Sequence, residues 1–229
     1  MISVDTYYYS IVDNGYGPKL ADAINILDDT EQDRYRRFKF DKDRNRFLQA
    51  RILLKTCLAE RLGCEPRDVH FEYNVNGKPR VSKGEYLHPK ARVHFSLSHC
   101  ATAIAFAISS DPVGIDIECI SHRSQPWLHP EKYINEHIAV HFDRLTSVDE
   151  KSRMFARYWT CLEALVKLDG ETLFQKRASF AEGQNGMFAD GEFLFTDGVV
   201  STEKVSISEQ FSLATHSRVC SSTFQSLGI

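Results

Sequence analysis

Val113-Gly114-Ile115-Asp116-Ile117-Glu118 is the stretch on which the fold turns. Its apolar and acidic residues alternate, which is the period of a strand, so Asp116 and Glu118 leave the same face. Val113, Ile115 and Ile117 mark that strand as half-buried, and Gly114 permits another backbone to approach closely. A second stretch, Trp159-Thr160-Cys161-Leu162-Glu163-Ala164-Leu165-Val166-Lys167, has helical spacing, which puts Glu163 and Lys167 on one face four residues apart. Apolar neighbours nearly all round make that pair semi-buried. Each motif alone has an ordinary reading, a solvated strand edge or a decorated helix face. Together, three carboxylates and an ammonium would hold a hard cation against a phosphate.

Working outward, Asp111-Pro112 breaks the chain just before this strand and is the expected boundary between two halves, 1–111 and 112–229. Upstream, Val4 to Val12 reads as a strand and Leu20 to Leu27 as a short helix. Asp28-Asp29-Thr30 caps a helix from Glu31 to Phe38. Asp41 begins a longer helix, with Phe47, Leu48, Ile52, Leu54, Leu58 and Leu62 as its stripe and Gly63 as its stop. His70 to Tyr73, Val93 to Ser98 and Ala101 to Ser109 read as strands, with a turn at Asn76-Gly77-Lys78-Pro79. Downstream, Pro130 to Phe142 and Asp149 to Leu168 read as helices, the latter stopped by Gly170. Glu192 to Phe195, Val205 to Ile207 and Phe211 to Thr215 complete an α+β pattern in which both halves have a loosely similar order.

The 229 residues are 42% hydrophobic and 26% charged, with a formal charge of −3. These are ordinary values for a globular protein. The charge is uneven: Arg34 to Lys55 holds nine Arg or Lys against only Asp41 and Asp43, which suits an anionic ligand. Six scattered cysteines form no C-x-x-C and read as reduced thiols. Met1 to Tyr9 shows no secretory signal and no apolar run is long enough to span a membrane, so a cytoplasmic protein without a membrane partner is expected. No RNP pair or helix-turn-helix supports nucleic-acid binding. Without a Walker A loop or G-x-G-x-x-G, a nucleotide would have to be held by side chains.

Phe95-Ser96-Leu97-Ser98-His99 ends a strand with a hydroxyl and an imidazole. Neighbours on a strand face opposite ways, so Ser98 and His99 do not pair as nucleophile and base, and there is no G-x-S-x-G elbow. A phosphate grip by Ser98 and His99 is the functional alternative to a plain strand end. Lys78, at the rim of its turn, could reach a phosphate as a point charge.

These pieces, in this order, resemble the 4'-phosphopantetheinyl transferases of the surfactin-synthetase-activating type. That family carries G-[IV]-D-[IV]-E and then W-[ST]-x-K-E-[AS]-x-x-K. Gly114 to Glu118 matches the first, and Trp159, Thr160, Glu163, Ala164 and Lys167 match the second. Gly77-Lys78-Pro79 and Phe95 to His99 resemble the family's G-K-P turn and F-N-x-S-H-S strand end. Arg36-Arg37-Phe38 and the Arg46 to Lys55 helix resemble its N-terminal basic segment. The resemblance implies two similar α+β halves with the active site between them, acting as a monomer. It implies that Asp116, Glu118 and Glu163 bind Mg²⁺ (or Mn²⁺) on the pyrophosphate of coenzyme A. Lys167 would touch that pyrophosphate, Lys78, Pro79 and Ser98 would line the nucleotide pocket, and His99 and Arg46 would hold the 3'-phosphate. A serine of an apo acyl, peptidyl or polyketide carrier protein would attack the β-phosphate, Glu163 would accept its proton, and 3',5'-ADP would leave. Three positions depart from the family pattern: Leu162 where it has lysine, Thr172 where it has a second glycine, and Glu31 where some members have a basic phosphate contact. They keep open a degenerate copy that binds CoA or a carrier without catalysis.

Overall fold

The structure is a computed structural model that describes residues 4–11, 23–82, 93–120, 128, 136–170, 187–189, 192–194, 199–201, 211–217 and 222–226. It divides into two compact units: Met1–Tyr9 with His94–Ile229, and Ser10–Val93. The fold class is α+β. The expected strand Val205 to Ile207 and position Thr172 lie outside the described residues.

In the first unit, the alternation at 113–118 becomes strand β6 (Val113–Cys119). Its Val113, Ile115 and Ile117 join a buried cluster with Val4, Tyr8 and the alanines Ala103, Ala105 and Ala107. Those residues come from β1 (Val4–Ser10) and β5 (Ala103–Ser109), the latter buried along its whole length. With β4 (His94–His99) and β11 (Ser222–Ser226) they make a sheet of order β11-β1-β5-β4. β4 and β5 are antiparallel, whereas β1 and β11 run parallel, Val4 opposite Ser222. Asp111 lies in the tight β5–β6 turn, its N–H donating to Ser109 Oγ at 3.1 Å.

A second sheet has the order β6-β10-β9, with β10 (Phe211–Ser217) antiparallel to β6 and Ala214 opposite Asp116. Strand β9 spans Val199–Ser201, and β7 (Met187–Ala189) pairs only with β8 (Glu192–Leu194). Across this sheet lies a 22-residue helix, Val148–Asp169. Ser147 accepts from the Glu150 N–H, and Glu150 reaches back to the Ser147 N–H, a capping box that fixes its start. Gly170, at φ 68°, ends it in the left-handed conformation. A shorter helix, Glu136–Asp143, precedes it, and Phe142 joins the cluster of Met154, Tyr158, Cys161, Leu162, Leu165 and Leu168.

The second unit is built on two helices. Asp28 and Glu31 form the capping box of the helix Asp29–Arg37, which starts two residues earlier than expected. The helix Asp41–Leu62 ends at Gly63, φ 69°. Leu27, Phe47 and Leu48 form the core here. A 3₁₀ turn at Ile24–Ile26 replaces the last part of the short helix read at Leu20 to Leu27. Phe71–Tyr73 (β2) pairs antiparallel with Pro79–Val81 (β3), a strand hidden from sequence reading because proline starts it. In chain order the helices are α1 (Asp29–Arg37), α2 (Asp41–Leu62), α3 (Glu136–Asp143) and α4 (Val148–Asp169). No helix among the described residues is long and apolar enough to cross a membrane.

Candidate active site

Because one face of β6 packs into the core, the other meets α4. Gly114 is where they touch: a Cβ there would overlap the Ala164 carbonyl oxygen and stand 2.6 Å from the Leu168 nitrogen. The absence of a side chain at 114 sets how near Asp116 comes to the helix. Gly114→Ala should therefore force α4 off β6, separating Asp116 from Lys167. We expect a lowered melting temperature and loss of the 2.6 Å ion pair, read by crystallography; an unshifted helix would refute this.

Asp116 is 3% exposed. Its Oδ1 takes the Lys167 ammonium at 2.6 Å and the Ser98 hydroxyl at 2.7 Å, and Lys167 also donates to Ser98 Oγ at 2.9 Å. Three residues from β4, β6 and α4 thus close a triangle of charge-assisted bonds. The other carboxylate oxygen, Oδ2, is buried with no hydrogen-bond partner. One shell further out, Ser96 Oγ accepts the Ile115 N–H at 3.1 Å, so two serines of β4 knit that strand to β6.

Glu118 and Glu163 lie within the electrostatic reach of this triangle. Burial pushes the Glu118 carboxyl up to about 7, the negative charges of Asp116, Cys119 and Glu163 add to the rise, and Lys167 opposes it. Glu163 is raised by burial and then by Asp116, again against Lys167. Carboxylates that resist ionising together because they share a partly dry site are a donor set lacking countercharge. Among the described residues, Lys167 is the one cation that opposes these shifts, a single positive charge facing three acids. Among the described residues, no three His, Cys, Asp or Glu side chains stand in a ready-made metal cage. The donor chemistry nonetheless fits a divalent cation: three hard oxygen donors, one with an orphaned buried oxygen.

At the far end of β6, Cys119 accepts a hydrogen bond from the Cys100 thiol, which pulls its own pKa down to about 6. The same bond, with burial, pushes Cys100 up. His99, beside Cys100, is exposed at the end of β4 while Ser98 is buried, the opposite facing that excluded a nucleophile–base pair.

The remaining expected residues belong to the second unit. Arg46 is half-buried and pairs with Asp43 at 2.5 Å. Lys78 and Pro79 follow a turn organised by Asn74, whose side-chain oxygen accepts the N–H of Asn76 at 3.0 Å and of Lys78 at 2.8 Å. Gly77, φ 82°, supplies the left-handed residue that this turn requires. A cleft of about 300 Å³ in this unit is lined by Arg34, Arg37, Phe71 and Tyr73, with Asp28, Thr30 and Glu31; Arg46, Lys78 and Pro79 do not line it.

Two of the three departures acquire a different meaning. Glu31 is 4% exposed and bridges Arg51 (3.0 Å) and Lys55 (2.6 Å), both equally buried. It is the counterion of two core cations, not a stray charge on a nucleotide face. Leu162 is 1% exposed among Phe142, Met154 and Tyr158. A lysine there would bury an ammonium in an apolar cluster without adding charge to the site. Sequence reasoning missed the Glu31 cluster because its cations lie on the next helix, beyond the range of local pairing.

Comparison with known proteins agrees with this geometry. Residues 16–111 match a family model described as 4'-phosphopantetheinyl transferase, N-terminal, and residues 112–214 one described as 4'-phosphopantetheinyl transferase superfamily. The chain is 31% identical over 156 residues to the 4'-phosphopantetheinyl transferase HetI of Nostoc sp., covering 67% of this chain and 63% of that protein. It is 30% identical over 152 residues to the 4'-phosphopantetheinyl transferase psf-1 of Bacillus pumilus, covering 63% of this chain and 58% of that protein. Against the 4'-phosphopantetheinyl transferase Sfp of Bacillus subtilis it is 25% identical over 166 residues, covering 69% and 66%. The aligned part thus spans under two thirds of each relative's length. Two adjoining family models, the motifs on β6 and α4, and the α+β fold agree: the chain belongs to the 4'-phosphopantetheinyl transferase superfamily.

Proposed function

We propose that this protein transfers 4'-phosphopantetheine from coenzyme A to a serine of an apo carrier protein, releasing 3',5'-ADP. The observation that carries the reading is the convergence of Asp116, Glu118, Glu163 and Lys167 across β6 and α4. Asp116, with its spare buried oxygen, and the two raised glutamates would hold Mg²⁺, or Mn²⁺, on the pyrophosphate. Such a cation, when bound, offsets charge on the transferring phosphoryl group.

The chain's own residues do the rest. Lys167 Nζ, steadied by Asp116 and Ser98, is placed to contact a phosphate oxygen as charge builds on the leaving group. The carboxylate of Glu163, its proton affinity raised by burial and by Asp116, accepts the serine proton. Ser98 orients Asp116 and Lys167 and lines the nucleotide pocket. Arg46, Lys78, Pro79 and His99 are assigned to the nucleotide and its 3'-phosphate, on motif position. We further propose the functional division 1–111 and 112–229, supported by family models that meet there. A monomer acting in the cytoplasm fits this reading.

The degenerate alternative loses one of its supports, since Leu162 points into a packed interior. Intact mass spectrometry of an apo carrier protein incubated with the chain, CoA and Mg²⁺ tests the proposal. We expect a gain of one phosphopantetheine group that chelator abolishes and that Glu163→Gln reduces by about 10²–10⁴-fold, the range of a general base. No gain on acyl, peptidyl and polyketide carriers would return the chain to the binding-protein reading.

A further inference from the structure

The site ends in a dithiol. Ser96 bonds to Ile115 with an offset of 19 residues, and Ser98 to Asp116 with an offset of 18, so β4 and β6 advance side by side in the same direction. That parallel register carries Cys100, just beyond β4, to Cys119, the last residue of β6. The two thiols pack in one cluster, Cys100 buried within it and Cys119 half-buried against it. Each follows a residue assigned to the site: His99 precedes Cys100, and Glu118 precedes Cys119.

We propose that Cys100 and Cys119 form a reversible disulfide that switches the transferase site off under oxidising conditions. The inference rests on the proposed function for what is switched, not for the bridge. The oxidant is a small disulfide such as glutathione disulfide. The half-buried Cys119 sulfur attacks one of its sulfurs, breaking the S–S bond and releasing one glutathione. The Cys100 sulfur then attacks Cys119 Sγ of the mixed disulfide, forming the internal bond and releasing the second glutathione. Two protein thiols are oxidised, one disulfide is reduced, and the two protons leave on the two glutathiones. A disulfide holds its sulfurs about 2.05 Å apart. Van der Waals contact between unbonded sulfurs is much longer than that, so closing the bond draws the ends of β4 and β6 together. His99 and Glu118 move with them, against a triangle pinned by Ser98, Asp116 and Lys167. Dithiol reducing agents reverse the step by the same exchange.

The experiment uses the full chain, equilibrated in graded glutathione and glutathione disulfide, quenched by alkylation and mapped by peptide mass spectrometry. The same samples are assayed for transfer to an apo carrier. We expect a Cys100–Cys119 linked peptide and a fall in transfer of about a hundredfold, the scale that an ångström of misplacement costs. Dithiothreitol should restore activity, and Cys100→Ser and Cys119→Ser should keep theirs in oxidant. Glutathione on other cysteines with no Cys100–Cys119 link would overturn the proposal, as would a full bridge with undiminished transfer. If the reduced protein transfers nothing to any carrier, the functional reading fails separately. The switch is then judged on the mapped bridge and calorimetric CoA binding: a bridge that weakens binding supports it, and a bridge that leaves binding unchanged overturns it.

Discussion

Replacing Asp116 by asparagine should lower transfer by at least about 10²–10³-fold while leaving the far-UV circular dichroism spectrum unchanged. Asparagine keeps the shape of the side chain and an oxygen for Ser98 and Lys167, so the β6–α4 contact at Gly114 survives. What disappears is the negative charge that anchors the Lys167 ammonium at 2.6 Å and would face a cation through Oδ2. The loss also reaches both glutamates. Asp116 is the leading charge raising Glu118 and Glu163, so each becomes easier to ionise and Glu163 becomes a weaker proton acceptor. The effect is therefore larger than one lost ligand. Single-turnover kinetics on wild type, Asp116→Asn, Lys167→Met and the double variant would measure it. Strong non-additivity is expected, since ammonium and carboxylate act as one unit. Transfer within a few-fold of wild type in Asp116→Asn would remove the triangle from the chemistry.

The second large effect concerns stability. Glu31→Gln should destabilise the protein by about 3–5 kcal/mol, because it strands two buried cations. Lys55 is fully buried, donates to the Ile26 carbonyl at 2.9 Å and depends on Glu31 at 2.6 Å for countercharge. Arg51 is better supported: it lies over the Phe47 and Phe71 rings, 5.2 and 4.9 Å from their centroids, and donates to the Tyr73 hydroxyl at 3.0 Å. Adding Lys55→Met to Glu31→Gln should restore part of the loss, since removing a stranded charge relieves its burial. Urea denaturation of wild type, Glu31→Gln and the double variant decides the matter. A loss below about 1 kcal/mol for Glu31→Gln would show that water already reaches the cluster.

These two cases mark what the chain disclosed in advance. Helix limits were legible where the signal is local: Gly63 and Gly170 both stop their helices, and Asp28 caps as read. The alternation at 113–118 was legible too, because burial on one face forces period two. The burial of Glu31 was not legible, because charge sign does not say which helix face turns inward; that depends on Arg51 and Lys55 further along the chain. The depth of Leu162 was hidden for the same reason, since a motif column fixes a position and not its exposure. The Ser98–Asp116–Lys167 bonds join residues assigned to separate jobs, and the Cys100–Cys119 contact is visible only once β4 and β6 are known to run side by side. Strand β11 gave no usable pattern, because its partner lies at the opposite end of the chain.

That last pairing bears on how the chain is made. Val4 leaves a ribosome 218 residues ahead of its partner Ser222. Residues 10–93, which hold the Glu31 cluster, can close upon themselves as they emerge. Strand β1 must wait with an open hydrogen-bonding edge until β11 has been synthesised. Such long-range closure is slow and exposes strand edges to wrong partners. The vulnerable interval is thus the one in which β5 and β6 are present but β11 is not. A mutation that slows β11 would show itself as aggregated nascent protein before it showed itself in the chemistry.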